Sequence, residues 1–165
     1  MKFVTPTPLA PLVGRTSYVW ANVWAFDLEA YRQADARKDY VEAARHLIIG
    51  AKEGIFVVQA LLGDAYSKGE GVTQNQKIAL YWRKKAAEQG YAVAQQRVGL
   101  MYFIGQGAAK NIESAYFWLL LASVDGDADH VKYRAGIGKK LTSKQRSRVK
   151  AQASEWKPTP SASYL

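Results

Sequence analysis

The 165-residue sequence predicts an all-α fold, an α-solenoid of helix pairs stacked in a row. Three observations predict it. Gly63, Tyr66, Gly69, Gly71, Asn75, Ala79, Trp82, Ala86, Gly90 and Ala92 recur 36 residues on as Gly99, Tyr102, Gly105, Gly107, Asn111, Ala115, Trp118, Ala122, Gly126 and Ala128. Unrelated segments of that length would share about two identities by chance, so the module is written twice. The glycines punctuate each copy into helix, loop and helix. The small and aromatic positions Ala79, Trp82 and Ala86 fall at i, i+3 and i+7, one stripe of a helix.

The elements follow in order. Residues 1–19 form a proline-containing extension, with Pro6, Pro8 and Pro11 interrupting its apolar stretch. A secretory leader needs an unbroken apolar helix and a small-residue cleavage site. None is read in Met1 to Arg15, so the expected compartment is the cytoplasm; a trimmed leader would place the protein in the periplasm. Trp20 and Trp24, spaced i, i+4, are expected to cap the N-terminal end of the stack, with partner contact as the alternative.

The solenoid is expected over residues 20–157. Its first unit, 23–59, is degenerate, with helices at Val23–Ala36 and Asp39–Glu53. Ala43, Gly50, Ala51 and Gly54 fall under Ala79, Ala86, Ala87 and Gly90, but Ala34 to Asp39 replaces the glycine loop. Atypical end units are usual where one face meets solvent. The clear repeats are 60–95 and 96–131. In the first, a helix starts at Phe56 and ends at Lys68, and Gly63 allows a neighbouring helix to approach. Gly69 and Gly71 end that helix through backbone angles other residues avoid. Asn75 caps the second helix, Gln76 to Gln89. Gly105, Gly107 and Asn111 repeat this punctuation. The cap, 132–157, begins in a helix over Ala128 to Gly138, weakened by Gly136 and Gly138. Thr142 to Gln145 has capping-box spacing and opens a final helix to Trp156, which packs that helix down. Residues 158–165 are a polar tail, expected to be mobile.

Composition narrows the function classes. An apolar content of 48% and a charged content of 22% are ordinary for a soluble domain. The chain has no cysteine, which excludes disulfides and thiolate metal sites. No apolar run approaches the ~18 residues that span a bilayer. The net charge of +9 is unevenly placed: residues 131–165 carry nine basic residues and one acid, leaving +1 on the remainder. Such asymmetry points to an acidic partner, or else to a solvated cap.

Residues 60–130 closely resemble the Sel1-like repeat, a relative of the tetratricopeptide repeat. The resemblance rests on Leu62, Gly63, Tyr66, Gly69, Gly71, Val72, Asn75, Ala79, Trp82, the run Ala86 to Ala92, and Ala94. Leu141, Thr142 and Gln145, leading to Glu155, Trp156 and Lys157, are similar to the helix that often ends bacterial arrays of this kind. Departures occur at Val98, Ala108 and Ala109. The resemblance implies a right-handed solenoid used as an adaptor in bacterial complexes, at the envelope or in signalling. Family members include host-interaction factors, exopolysaccharide and motility accessories, and immunity proteins that neutralise secreted toxins.

Reactive clusters are sparse, and no enzyme activity, cofactor or metal is expected. His46 falls where Trp82 and Trp118 fall in later copies, which reads as a packing position. Asp127, Asp129 and His130 have poor spacing for a metal on a helix. The glycine loops lack the basic anchor of a phosphate loop. The expected function is therefore a non-catalytic protein–protein adaptor. Its groove is lined by the first helix of each pair, whose variable positions meet the partner. Walking that face passes Val57, Ala60, Asp64, Ser67 and Lys68, then Val93, Gln96, Leu100, Phe103 and Ile104, then Asp129, Lys132, Gly136, Lys139 and Lys140. The candidate contact residues are Asp64, Ser67, Lys68, Gln96, Leu100, Phe103, Ile104, Lys132, Lys139 and Lys140. The change from Ser67-Lys68 to Phe103-Ile104 marks an apolar hot spot beside lysines. Two alternatives stand beside this: a binder of nucleic acid or anionic polymer through the basic C-terminal helices, and an immunity-type inhibitor of a secreted toxin. An acidic protein surface is preferred over nucleic acid. The cations are mostly lysine, and Tyr133, Trp156 and Tyr164 are too dispersed to stack along a strand.

Overall fold

A computed structural model describes residues 26–160. Over those residues the chain is all helical: α1 (Leu28–Ala36), α2 (Tyr40–Lys52), α3 (Phe56–Lys68), α4 (Gln76–Glu88), α5 (Ala92–Ile104), α6 (Ile112–Ala122), α7 (Ala128–Gly138) and α8 (Ser143–Glu155). A short 3-10 turn, Ser123–Asp125, joins α6 to α7. From α1 to α7 each α-helix packs on the next in sequence, and α8 packs back on α6, so the chain forms an α-solenoid. The core is a series of buried clusters along the stack. The extension 1–19, Trp20, Trp24, and residues 161–165 of the tail lie outside the described residues.

The helix expected over Val23–Ala36 is not continuous: Phe26 and Asp27 are not helical, and the first helix among the described residues begins at Leu28. Asp27 accepts the Ala30 N–H at 2.8 Å, which fixes the N-terminus of α1 at Leu28. Residues 23–25 lie outside the described residues. Asp39 caps α2 in the same way through the Glu42 N–H. Asn75 accepts from the Lys77 and Ile78 N–H groups, and Asn111 from Ser114. Thr142 and Gln145 form the capping box their spacing predicts.

The two loop glycines have different jobs, which corrects their common reading as helix terminators. Gly69 and Gly105 are the left-handed caps of α3 and α5, at φ 81° and 79°. Gly71 instead lies against the preceding unit. A Cβ there would sit 1.7 Å from the Tyr40 carbonyl oxygen, and one on Gly107 would sit 2.3 Å from that of Gln76. The loop of each repeat thus rests on the start of the second helix one unit back.

Gly63 and Gly99 let the paired helices touch. Cβ atoms there would approach the Ala79 and Ala115 carbonyl oxygens to 3.1 Å. Gly138, the last residue of α7, makes room for the Tyr116 ring, 2.9 Å from where its Cβ would be. Trp118 is buried, whereas Trp82 is half-buried. Each stands edge-on to the preceding aromatic, Phe117 or Tyr81. His46, in the same register, is half-buried with Nε2 3.5 Å from Glu42. Trp156 and Ala153 pack against the central cluster that holds Trp118. The segment after it is anchored: the Thr159 N–H donates to the Glu88 carbonyl at 2.7 Å, and Pro158 faces Gly90.

Candidate functional site

The first helices α3 and α5 present apolar side chains at equivalent positions to solvent. Val57 is 41% exposed and Val93, one repeat later, 45%. Both sit in the first turn of their helix, where the core stripe has rotated away. They line a cleft of about 80 Å³ with Ala60, Leu61, Tyr91 and Arg97, and Asp64 and Arg83 close it. Leu100 is half-buried, and Ile104, at the end of α5, is 62% exposed.

Not every candidate contact residue is free to meet a partner. Asp64 belongs to an internal ion pair. Its carboxylate accepts from Arg83 Nε at 3.0 Å and Nη2 at 2.5 Å, while Arg83 is only 7% exposed. The third guanidinium nitrogen points at Met101 Sδ. One repeat on, the same two positions hold Leu100 and Leu119. Arg83 Cγ and Leu119 Cγ lie over Gly63 and Gly99 in turn, so a charged pair and an apolar pair fill the same slot. Replacing Asp64 alone with leucine should cost about 1–3 kcal/mol, reduced by the partial exposure of the carboxylate, because Arg83 is left buried and unpaired. The double variant Asp64→Leu/Arg83→Leu copies the next repeat and should recover most of that loss in urea melts. A double variant as unstable as the single would contradict the slot equivalence.

Ser67 is also engaged internally, with its hydroxyl 3.2 Å from Gln76 Oε1 and its carbonyl accepting from the Gln74 and Gln76 amides. Lys68 is exposed and lies 3.4 Å from Glu70. Gln96 is half-buried on α5. Phe103 is half-buried against the cluster of Tyr116, Ile137 and Leu141. Lys110 and Lys140 stand 5.5 and 5.8 Å from the centre of its ring. The apolar end of α5 is therefore shared: Phe103 joins α5 to the cap beneath two cations, and Ile104 remains open. Lys132 on α7 and Lys139 and Lys140 just after it are all exposed. Lys139 opens onto a different cavity, between α6, α7 and α8, with Arg134, Arg146 and Lys150.

The electrostatic asymmetry of the sequence reappears in space. At the N-terminal end a cleft of about 210 Å³ is lined by Asp35, Asp64 and Glu70 with Lys68. Burial, then the fields of Asp35, Glu70 and Asp64, raise the pKa of Tyr31 beside them. At the C-terminal end the lining charges are positive.

One repeated polar device is absent from the candidate residues. Buried Gln59 and Gln95 donate their side-chain amides to the carbonyls of Ala51 and Ala87, each at 3.1 Å. Each glutamine thereby ties a first helix to the end of the second helix before it. The signal was present: both glutamines and both alanines are 36 residues apart. Among the described residues, no three His, Asp or Glu side chains group as a metal ion requires, and no helix is long and apolar enough to cross a membrane. Asp127 accepts from the Asp129 and His130 N–H groups as the N-cap of α7.

Comparison with known proteins places this geometry. The Sel1 repeat matches residues 57–91 and 92–127. Two solved structures share the architecture. A protective antigen present in uropathogenic Escherichia coli strains, displaying an SLR fold, superposes with a TM-score of 0.69 at 27% identity over 86% of this chain and 29% of its own. A Sel1 repeat protein from Oxalobacter formigenes gives 0.63 at 29% identity over 79% of this chain and 56% of its own. The present chain thus spans under a third of the first protein and just over half of the second. No curated protein matches the sequence.

Proposed function

We propose that this chain, which carries two Sel1 repeats, is a non-catalytic adaptor holding a protein partner on the face presented by α3, α5 and α7. Sel1 repeats mediate protein–protein interaction, and that general role is the starting point. The observation that carries the finer reading is the pair Val57 and Val93. Two apolar side chains at equivalent positions are left in water beside one cleft, with Ile104 beyond them. Covering a valine fully is worth about 1.5 kcal/mol or more, so a partner seated there gains what folding leaves unused. Anchors in such a cleft set affinity, while surrounding charges mainly set the rate of encounter.

The test uses a tagged full chain and the protein it captures, with affinity then measured on the purified pair. Val57→Asp/Val93→Asp should weaken binding by at least about tenfold while helical circular dichroism stays unchanged. These positions are better probes than Phe103, whose contacts with the cap would confuse folding with binding. Binding abolished between 50 and 200 mM salt, with the double variant unaffected, would replace this reading with that of an anionic-polymer binder.

A further inference from the structure

The cavity between α6, α7 and α8 is a separate feature. It has a volume of about 520 Å³, and its described lining residues are Tyr116, Leu120, Arg134, Ala135, Gly138, Lys139, Arg146 and Lys150. Four are cations and none is an acid. The remaining four supply an apolar floor. We infer that this cavity is a docking site for an acidic segment of a partner protein, one that places an apolar side chain on the floor and carboxylates on the rim. The inference rests on reading the chain as a protein-holding adaptor and adds the chemistry of a second contact.

The cations divide into two kinds. The arginines are built into the wall. Arg146 Nη1 donates to the carbonyls of Gly138 and Leu141, and its Nη2 to the Ser143 hydroxyl. Arg134 Nη1 donates to the Ser123 hydroxyl. They shape the cavity and give it a fixed positive field. Lys139 and Lys150 are exposed, and among the described residues neither forms an ion pair. They are the cations left to meet a ligand. A lysine is a compact point charge that suits a carboxylate at many angles, whereas bidentate phosphate recognition uses a free arginine fork.

The floor argues in the same direction. Tyr116 is buried, its ring held against Gly138, so it offers no open face on which a base could stack. Leu120 is half-buried and Ala135 is exposed at the edge. A nucleic-acid site would combine stacking faces with a basic track along the backbone. Here there is one apolar hole with charges round it, which fits an apolar side chain flanked by aspartate or glutamate.

The experiment uses the full chain and three probes of known composition. The first is a fluorescein-labelled Asp-Glu-Leu-Asp-Glu peptide, capped at its C-terminus. The second replaces its leucine with serine. The third is a labelled oligothymidylate of matched charge. Binding is read by fluorescence anisotropy at 100 mM salt. The leucine peptide should bind at least about tenfold tighter than the other two probes. Its affinity should fall at least about tenfold in Lys139→Glu/Lys150→Glu, and equally in Ala135→Phe, which fills the cavity without changing charge. Val93→Asp should leave peptide affinity unchanged, so failure here is distinguishable from failure of the valine face. No peptide binding, equal binding of the serine peptide, undiminished binding by Ala135→Phe, loss of binding by Val93→Asp, or tighter binding of the oligonucleotide would each overturn the inference. Circular dichroism of each variant guards against loss of fold.

Discussion

Replacing Trp118 with alanine is expected to lower the unfolding free energy by about 3–5 kcal/mol, the range for deleting a large buried aromatic. Trp118 is 6% exposed and shares a cluster with Ala87, Ala94, Val98 and Met101 of the preceding elements, as well as Trp156 from the segment after α8. Trp118 thus belongs to a cluster that joins α4, α5 and α6 with the segment after α8. Its cluster partners lie on several helices, so refilling the space would require more than one helix to shift. Trp156→Ala should cost less, since Trp156 is half-buried at the edge of the same cluster. Urea melts of the two variants check this. Small and equal losses would contradict the repeat register that puts Trp118 inside.

Gly71→Ala is the second large effect, expected to cost about 2–4 kcal/mol. Two terms add. The φ of 71° strains any residue with a Cβ, at about 1–2 kcal/mol. The new methyl would also lie 1.7 Å from the Tyr40 carbonyl oxygen and 2.9 Å from Ala44 Cβ, so the loop must lift from the preceding unit. Gly126→Ala isolates the first term. Its φ is similar, 77°, but nothing lies within 4 Å of the added Cβ. It should therefore cost only that strain, about 1–2 kcal/mol. At this chain length each kcal/mol moves the melting temperature by about 2–4 °C, so thermal scans separate the two variants. Equal shifts would mean that the contact between loop and preceding repeat contributes nothing.

These glycines illustrate what was legible in the sequence. The period of 36, the asparagine caps and the capping box were readable because each depends on local chemistry at fixed spacing. The distinction between Gly69 and Gly71 was not. Both have positive φ, and only the approach of Tyr40 from another unit separates them. The start of α1 at Leu28 rests on a single side chain, the Asp27 cap, a signal too short to stand out in a periodic pattern.

The candidate surface was read less fully, for a physical reason. Sequence walks a face by angle, but the pairing of residues across helices decides which of them remain free. Asp64 lies on the walked face as an acid, but Arg83, nineteen residues away, holds its carboxylate. Phe103 looked like an exposed anchor, yet the cap covers part of it and two lysines flank the ring. Val57 and Val93 lie on the walked face but not among the candidate contact residues; their exposure is a property of how α3 and α5 seat on their neighbours. The basic residues of the C-terminal end were visible as a charge excess. That Lys139, at the end of α7, and Lys150, on α8, reach one cavity depends on how α7 and α8 pack on α6.

The most direct test of the adaptor reading is photo-crosslinking in the cell with benzoylphenylalanine placed singly at Val57, Val93, Ile104 and Tyr81. The first three are exposed apolar positions on α3 and α5; Tyr81 is equally exposed on α4 but lines no part of the cleft. A discrete adduct of one mass from positions 57, 93 and 104, with none from 81, is the predicted result. Adducts from position 81 alone, or none from any of the three, would contradict a partner held on this face.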